Sequence, residues 1–568
     1  MLKIDLSYDN GILFGNFDYK VYEIIRNMPD RRRWKDGKLY FVKSIQNIDY
    51  LLKNLTIDEV INIEEFTNRV EEQSKNINDK FTPSQTELTN FNFKTEPFPH
   101  QIEAFNLGKD REYFGLLMEM GTGKTKVSID IMAYKYSLGE IDTCVVIAPN
   151  LVHSQWINDE IPKHMPDFVK YESFAYCSSM NKKDRQKYEN MFNIEDKLRI
   201  FAINVEALQS EKGFFEAKRM VCSGRTLTIV DESTRIKNPT AIRTKNVLAL
   251  KDYSRVRLIL SGAPITRGLE DLYSQLKFLS EDILGFSSYY SFKNYYCIME
   301  PIQGRNVSPF AKKIVGYRHE DELKLRLQGN TYRATKDILD IPKPFPPIIR
   351  PIELTPEQTR IYKDLKNNLV AEIESGKIVE APVAITKLLR LQQVVCGHIR
   401  DEESKELIYL KNNRIREVIN ILDEIDSKVI IFSKFVPDIL KISEELTKAG
   451  IKHVTYYGEI QQKDREQRIH DFKTDESIKV FLAQPACAST GLNLQEASTM
   501  IFYSNDFNAD FRWQAEARIH RNGQKNRCTY IDLVAPKTID EYILQNLKNK
   551  KGLADNTLDD IKNFLKEN

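Results

Sequence analysis

The sequence predicts an α/β protein of two doubly wound lobes with helical insertions, preceded by a small α+β unit. Three observations lead there. First, apolar runs of buried-strand type alternate with helical segments, the pattern of parallel sheets covered on both faces. Second, these runs come in two sets, one before a proline-rich stretch at 342–347 and one after it. Third, only the first set carries a glycine turn of phosphate-binding type. At 568 residues the chain holds several domains, on a prior of roughly 100–200 residues each.

The glycine turn is Met118-Glu119-Met120-Gly121-Thr122-Gly123-Lys124-Thr125. A strand expected over 114–117 precedes it and an apolar helical pattern from Val127 follows, the context that a P-loop requires. Gly121 and Gly123 admit backbone angles that other residues resist. Amides of 121–125, Thr122 among them, with the helix N-terminus make an anion nest. Lys124 is the candidate for the β and γ phosphates of ATP, and Thr125 for Mg2+. Met118 stands where Gly or Ala usually opens the pattern, and an ordinary strand–helix turn also contains such glycines.

The remaining strands of the first set run over 144–149, 198–203, 227–230 and 257–260. Polar clusters fall at their carboxyl ends, where ligands sit in such sheets. Asp231-Glu232 follows the third of these strands. Asp231 is the candidate second metal ligand and Glu232 the candidate base for the attacking water, with a helix-capping acidic pair as the bland alternative. Gln101, ahead of the P-loop, is a candidate for the adenine edge. Trp156 and Asn204, beyond strand ends, are candidate nucleic-acid contacts.

Residues 1–80 form the first unit. It has a short strand near residues 12–17, a helix over 22–28, a hairpin turn at Asp36-Gly37 and a second helix over 45–55. Arg31, Arg32, Arg33 and Trp34 suit phosphate contact beside an aromatic, and equally suit a solvated face. Residues 81–96 read as a linker, 97–345 as the first lobe with an insertion near 281–330, and 346–568 as the second with an insertion near 352–410. Tyr289, Tyr290, Tyr295 and Tyr296 suit a helical core better than base stacking. The second lobe has strands over 428–432, 453–457, 480–483 and 500–503 and no glycine cradle. Its constellation is the run 514–524, in which Arg518 and Arg521 are spaced to lie on one helix face.

Lys+Arg is 83 and Asp+Glu 81, so any basic surface is local. The seven cysteines form no CxxC pair, which argues against a structural metal or disulfide framework and for a reducing, cytoplasmic setting. Neither a signal peptide nor an apolar run of the roughly 20 residues needed to span a bilayer is expected, so no membrane partner is foreseen.

Taken in order, these stretches resemble a superfamily II helicase of the Swi/Snf type over residues 95–550. Pro99-His100-Gln101 resembles the Q motif, Met120 to Thr125 Walker A, and Ile147 to Trp156 the strand-loop motif with its QW pair. Asp231-Glu232-Ser233-Thr234 resembles the DEAH box, with Ser-Thr in place of Ala-His, and Arg235-Ile236-Lys237-Asn238 its tail. Leu260 to Ile265 resembles the motif that links hydrolysis to movement, Gly458 and Arg465 the middle of the second lobe, Thr490 to Leu494 the G-x-N-L motif, and Gln514 to Gln524 the arginine-finger motif. The resemblance implies RecA-like lobes, ATP with Mg2+, Gln514 at the nucleotide, and Arg518 and Arg521 as fingers to the γ-phosphate. It implies ATP-driven movement on duplex, forked or branched DNA, with single-strand-binding or recombination proteins as partners. Within the first unit, the order helix, Met-Pro, basic run, Trp, strand and helix, over about forty residues, resembles the HARP domain of annealing helicases, which implies fork remodelling or annealing in a phage or bacterial setting. A strand-separating DNA or RNA helicase and a non-catalytic nucleic-acid clamp remain as alternatives.

Overall fold

The computed structural model describes residues 2–7, 10–26, 32–42, 48, 51–52, 55–62, 91–150, 152–266, 268–301, 312–375, 381–400, 406–488, 492–548 and 564. Residues 81–90 of the expected linker, most of the helix expected over 45–55, Arg31, Thr490 and Gly491 lie outside them; Phe91 and Phe93, at the end of that linker, instead pack against the apolar core that includes Phe105.

The N-terminal sheet has five strands: β1 (Leu2–Asp5), β2 (Asn10–Gly15), β3 (Arg32–Lys35), β4 (Lys38–Val42) and β5 (Glu59–Ile61), in the order β3-β4-β2-β1-β5. A helix, Tyr19–Arg26, crosses between β2 and β3. The β3–β4 hairpin turns at Asp36 and Gly37, both at positive φ (49° and 72°), the two-residue geometry that an Asp-Gly pair favours. Leu2, Ile4, Leu13, Ile25, Leu39 and Phe41 are buried in its own small core.

The first lobe is a seven-stranded parallel sheet: β6 (Tyr113–Met118), β7 (Thr143–Ala148), β8 (Tyr171–Ala175), β9 (Leu198–Asn204), β10 (Thr226–Asp231) and β11 (Val256–Leu260), joined later in the chain by β14 (Thr331–Ala334). The order is β14-β6-β11-β10-β7-β9-β8. Burial on both faces explains the unbroken apolar runs. Val145 and Ile147 enter one layer, while Cys144, Val146 and Ala148 enter the other, as the two-residue repeat of a strand requires. Asp231 stands opposite Leu260, so the turns after β10 and β11 leave the sheet side by side.

Between β11 and β14 the sequence predicts a helical insertion, and here the structure corrects it. Helices at Glu281–Leu284, Tyr289–Tyr296 and Glu320–Gln328 flank an antiparallel ribbon of β12 (Cys297–Pro301) and β13 (Lys312–Tyr317). Of its tyrosines, Tyr296 is fully buried, Tyr289 and Tyr295 pack against the core, and Tyr290 is exposed.

Met120–Thr122 aside, the chain divides after Thr335 into two compact units. The sequence places that boundary at the prolines, ten residues later. The reason lies in hydrogen bonds of the proline stretch with the second unit: Phe345 N–H donates to Cys528 O at 2.8 Å and Arg527 Nε to Lys343 O at 3.0 Å.

The second unit holds a six-stranded parallel sheet. Its strands are β15 (Ile348–Pro351), β18 (Val429–Phe432), β19 (His453–Tyr456), β20 (Val480–Ala483), β21 (Thr499–Phe502) and β22 (Thr529–Val534), in the order β15-β22-β21-β18-β20-β19. Between β15 and β18 lie two long helices, Pro356–Glu374 and Ala381–Cys396, and a short hairpin of β16 (His398–Arg400) and β17 (Leu407–Tyr409). A buried ion pair holds this unit together: Arg414 meets Asp540, and Arg414 also donates to Leu533 O at 3.1 Å. All seven cysteines are unpaired. Among the described residues no helix is long and apolar enough to cross a membrane, and no group of three or more His, Cys, Asp or Glu could hold a metal ion.

Candidate active site

The site begins where β6 ends. Gly121 and Gly123 both take positive φ (89° and 88°), and the helix Lys124–Ser137 starts directly after them. Gly123 is constrained twice. Its backbone disfavours any side chain, and a Cβ there would stand 2.1 Å from Gln101 Nε2. Gln101 is buried, and its Oε1 accepts from Phe98 N–H at 3.1 Å, closing the start of its own helix. The structure thus places Gln101 against the glycine turn.

Lys124 reaches Glu232, with Nζ 3.2 Å from Oε1 and both side chains largely buried. Asp231 accepts two hydrogen bonds: Glu232 N–H to Oδ1 at 2.9 Å, and Trp156 Nε1 to Oδ2 at 2.9 Å. Burial pushes the Asp231 carboxyl up to about 6. Lys124 pulls it down, Glu232 pushes it up, and the Trp156 bond pulls it down again. Glu232 sits in the left-handed region, φ 48° and ψ 58°, an uncommon conformation for a residue other than glycine. That turn carries the carboxylate from the end of β10 to Lys124.

Trp156 is the main correction to the site. The sequence offers it as a nucleic-acid contact, yet it is 1% exposed and hydrogen-bonded to Asp231. It opens a widened helical turn, Trp156–Glu160, of the kind often found at functional sites. Its neighbours Ile157 and Ile161 pack in the same core, and that apolar spacing was the available signal. Asn204 caps a turn, its Oδ1 accepting from Ala207 N–H at 2.7 Å. Arg32, Arg33 and Trp34 lie on β3.

In the second unit the helix Ala509–Glu516 ends before the arginines. Arg518 and Arg521 therefore do not stack on a helix face as their spacing suggests. They lie in the tight turns that follow, and both converge on Leu492 O, at 3.0 and 3.5 Å. Gln524 pins this segment through Nε2, which contacts Gln495 O, Ala497 O and Ile519 O. Gln514 Oε1 is buried without a hydrogen-bond partner. A guanidinium of Arg465 donates to Gly458 O.

The donor set fits a phosphate with a divalent cation. Two glycines at positive φ open backbone amides, a buried ammonium stands beside them, and a buried carboxylate is charged at a cost that a cation would offset. Thr125 and Asp231 are the residues that would hold the metal.

A family model described as SNF2-related domain matches residues 100–399. The chain belongs to that family. A second model, helicase conserved C-terminal domain, matches residues 411–523 of this SNF2-related chain. Its seven-stranded and six-stranded parallel sheets are accordingly the RecA-like lobes of a Swi/Snf-type core. It is 27% identical over 511 residues to the DNA repair and recombination protein RDH54 of Saccharomyces cerevisiae, covering 81% of this chain and 53% of that protein. It is 25% identical over 468 residues to an uncharacterized ATP-dependent helicase, MG018, of Mycoplasma genitalium, covering 81% and 41%. The chain thus spans about half the length of the curated relatives it matches. Among solved structures, the Sulfolobus solfataricus SWI2/SNF2 ATPase core in complex with dsDNA is similar, with 25% identity, a TM-score of 0.37, and coverage of 81% of this chain and 92% of that one.

Proposed function

We propose that this SNF2-related chain is a nucleic-acid-dependent ATPase that moves along or remodels duplex or forked DNA in repair or recombination. The observation that carries the reading is the buried cluster behind the P-loop, in which Lys124, Asp231, Glu232 and Trp156 are joined by hydrogen bonds and an ion pair. Lys124 takes the β and γ phosphates of ATP. Glu232 accepts the proton of the attacking water. When bound, Mg2+ neutralises phosphate charge as it develops in the transition state. Asp231 is held in orientation by Trp156 and by the Glu232 amide. The second lobe contributes Arg518 and Arg521 to the γ-phosphate. Grip on phosphates carries no sequence information, so binding is blind to sequence and falls steeply with salt.

The relative named for DNA repair and recombination supports the setting. The HARP-like start, a separate sheet with its own core, supports fork remodelling or annealing. Seven unpaired thiols suit the cytoplasm of a bacterial cell or of a phage-infected one.

The test is ATP turnover with no nucleic acid and with single-stranded, duplex, forked and Holliday-junction DNA, RNA serving as control. Stimulation by duplex or forked DNA is expected, and its absence would overturn the motor. Strand displacement on forked DNA would assign a true helicase. Removing residues 1–80 is expected to weaken fork binding while ATP turnover persists, and equal fork affinity would remove the N-terminal unit from that role.

A further inference from the structure

The family pattern places Ala-His after the two carboxylates, and this chain has Ser233-Thr234. The structure shows what the change allows. Ser233 is completely buried, and its hydroxyl donates to Gln275 Oε1 at 2.6 Å. Gln275 is also completely buried, on the helix Leu272–Leu279. Its Nε2 donates to Pro264 O at 2.7 Å and to Asp271 O at 2.8 Å. One carboxamide therefore joins the residue next to Glu232 to the loop that follows β11. A carboxamide suits the place because it offers an acceptor and two donors at once. A carboxylate would lack the donors, and an aliphatic side chain would take this acceptor away from the buried Ser233 hydroxyl.

A second strap runs beside the first. Lys237, in the segment after Ser233, contacts Thr266 and lies 3.7 Å from Asp271 Oδ2. The same carboxylate accepts Thr266 N–H at 2.9 Å and Thr266 Oγ1 at 2.7 Å. Both straps pass through residues 271–275, so the loop 261–266 and the turn 231–237 are held to one rigid helix start. The loop reaches the surface at Ile265, which is 42% exposed.

Resting on the motor reading above, we propose that Gln275 is a positioning residue through which DNA engagement at the 261–266 loop sets the aim of Glu232. Displacing the loop shifts Pro264 O, which moves the carboxamide, the Ser233 hydroxyl and the backbone that holds Glu232 in its left-handed turn. Hydrogen bonds shielded from water are stiff enough to carry such a shift. Gln275 is completely buried and acts through Ser233 and the carbonyls it holds.

The experiment measures steady-state ATP turnover of the full chain, with and without duplex DNA, for wild type, Gln275→Met, Ser233→Ala and the double variant, with Tm alongside. The readout is the ratio of the two rates. Each single variant is expected to lower that ratio about fivefold or more, the lower end of ordinary coupling between sites. The double variant should do no worse than either single one, because both break the same link. Equal loss of both rates with a lowered Tm would mark a structural role and overturn the proposal. If Gln275→Met does not fold, Ser233→Ala, which removes one hydroxyl, decides alone. Wild-type turnover that DNA does not raise sinks the motor reading. DNA stimulation in the wild type with an unchanged ratio in the variants sinks the relay alone.

Discussion

The two lobes share a parallel α/β design and differ in what stands at the carboxyl ends of their strands. In the first, β6 ends in two glycines at positive φ, and β10 ends in two carboxylates packed against Lys124 and Trp156. In the second, among the described residues, no strand ends in a pair of glycines at positive φ, and a polar feature is the pair of arginines gathered on Leu492 O. The difference teaches that repetition of a scaffold need not repeat its chemistry. In the function proposed above, one lobe binds and cleaves, while the other presents cations whose own backbone partners hold them in place.

The sharpest way to break this contrast is to remove the cations. Replacing Arg521 by Ala, or Arg518 by Ala, is expected to lower the DNA-stimulated kcat by about 10³-fold or more, as for other arginine fingers. Turnover within a few-fold of wild type would make the second lobe a passive clamp. Next comes Glu232→Gln, which keeps shape and removes the base. A fall of about 10²–10⁴ in kcat is expected, and hydrolysis equal to wild type would move the base elsewhere. A smaller effect follows from Trp156→Phe, which leaves the ring and deletes the bond to Asp231. The expected loss is roughly tenfold in kcat, the scale of one hydrogen bond to a charged group; an undiminished rate would make Trp156 mere packing.

The smallest effect concerns pH. The Asp231 carboxyl is raised from 3.8 to about 6 in the folded chain, chiefly by burial. A raised value means that the fold holds this proton more tightly than the unfolded chain does. The associated stability is present in full below about pH 4 and is lost as pH rises through about 6. Asp231→Asn has no such dependence. Its Tm relative to wild type is therefore expected to be more positive at pH 7.5 than at pH 4.5, by a few degrees, and an equal offset at both would mean that burial does not govern the carboxyl.

Much of this contrast was legible in the sequence, for reasons that can be named. Unbroken apolar runs mark strands covered on both faces, and Gly121, Gly123 and Lys124 declare a phosphate turn by spacing alone. Asp36-Gly37 likewise fixed a hairpin, because two positive φ values restrict which residues fit. Trp156 was misread because a tryptophan past a strand end looks the same whether its indole meets a base or a buried carboxylate. Arg518 and Arg521 have helical spacing, but Gln524 and its three carbonyl contacts draw the chain into turns after Glu516. The ribbon at 297–317 hid inside a helical stretch because its exposed strands lack a two-sided apolar run. Gln275 gave no signal, since the two partners that make it a link, Ser233 and Pro264, are 42 and 11 residues away in sequence.

The ion pair between Lys124 and Glu232 carries one more consequence. A single ammonium cannot serve a carboxylate and a triphosphate at full strength, so an arriving γ-phosphate competes with Glu232 for it. The affinity measured for ATP is then a net quantity, diminished by the separation of that pair. A variant that neutralises Glu232 is therefore expected to turn over slowly and to hold its nucleotide more tightly than the parent chain, and equal nucleotide affinity in an equilibrium binding measurement would show that the pair does not compete.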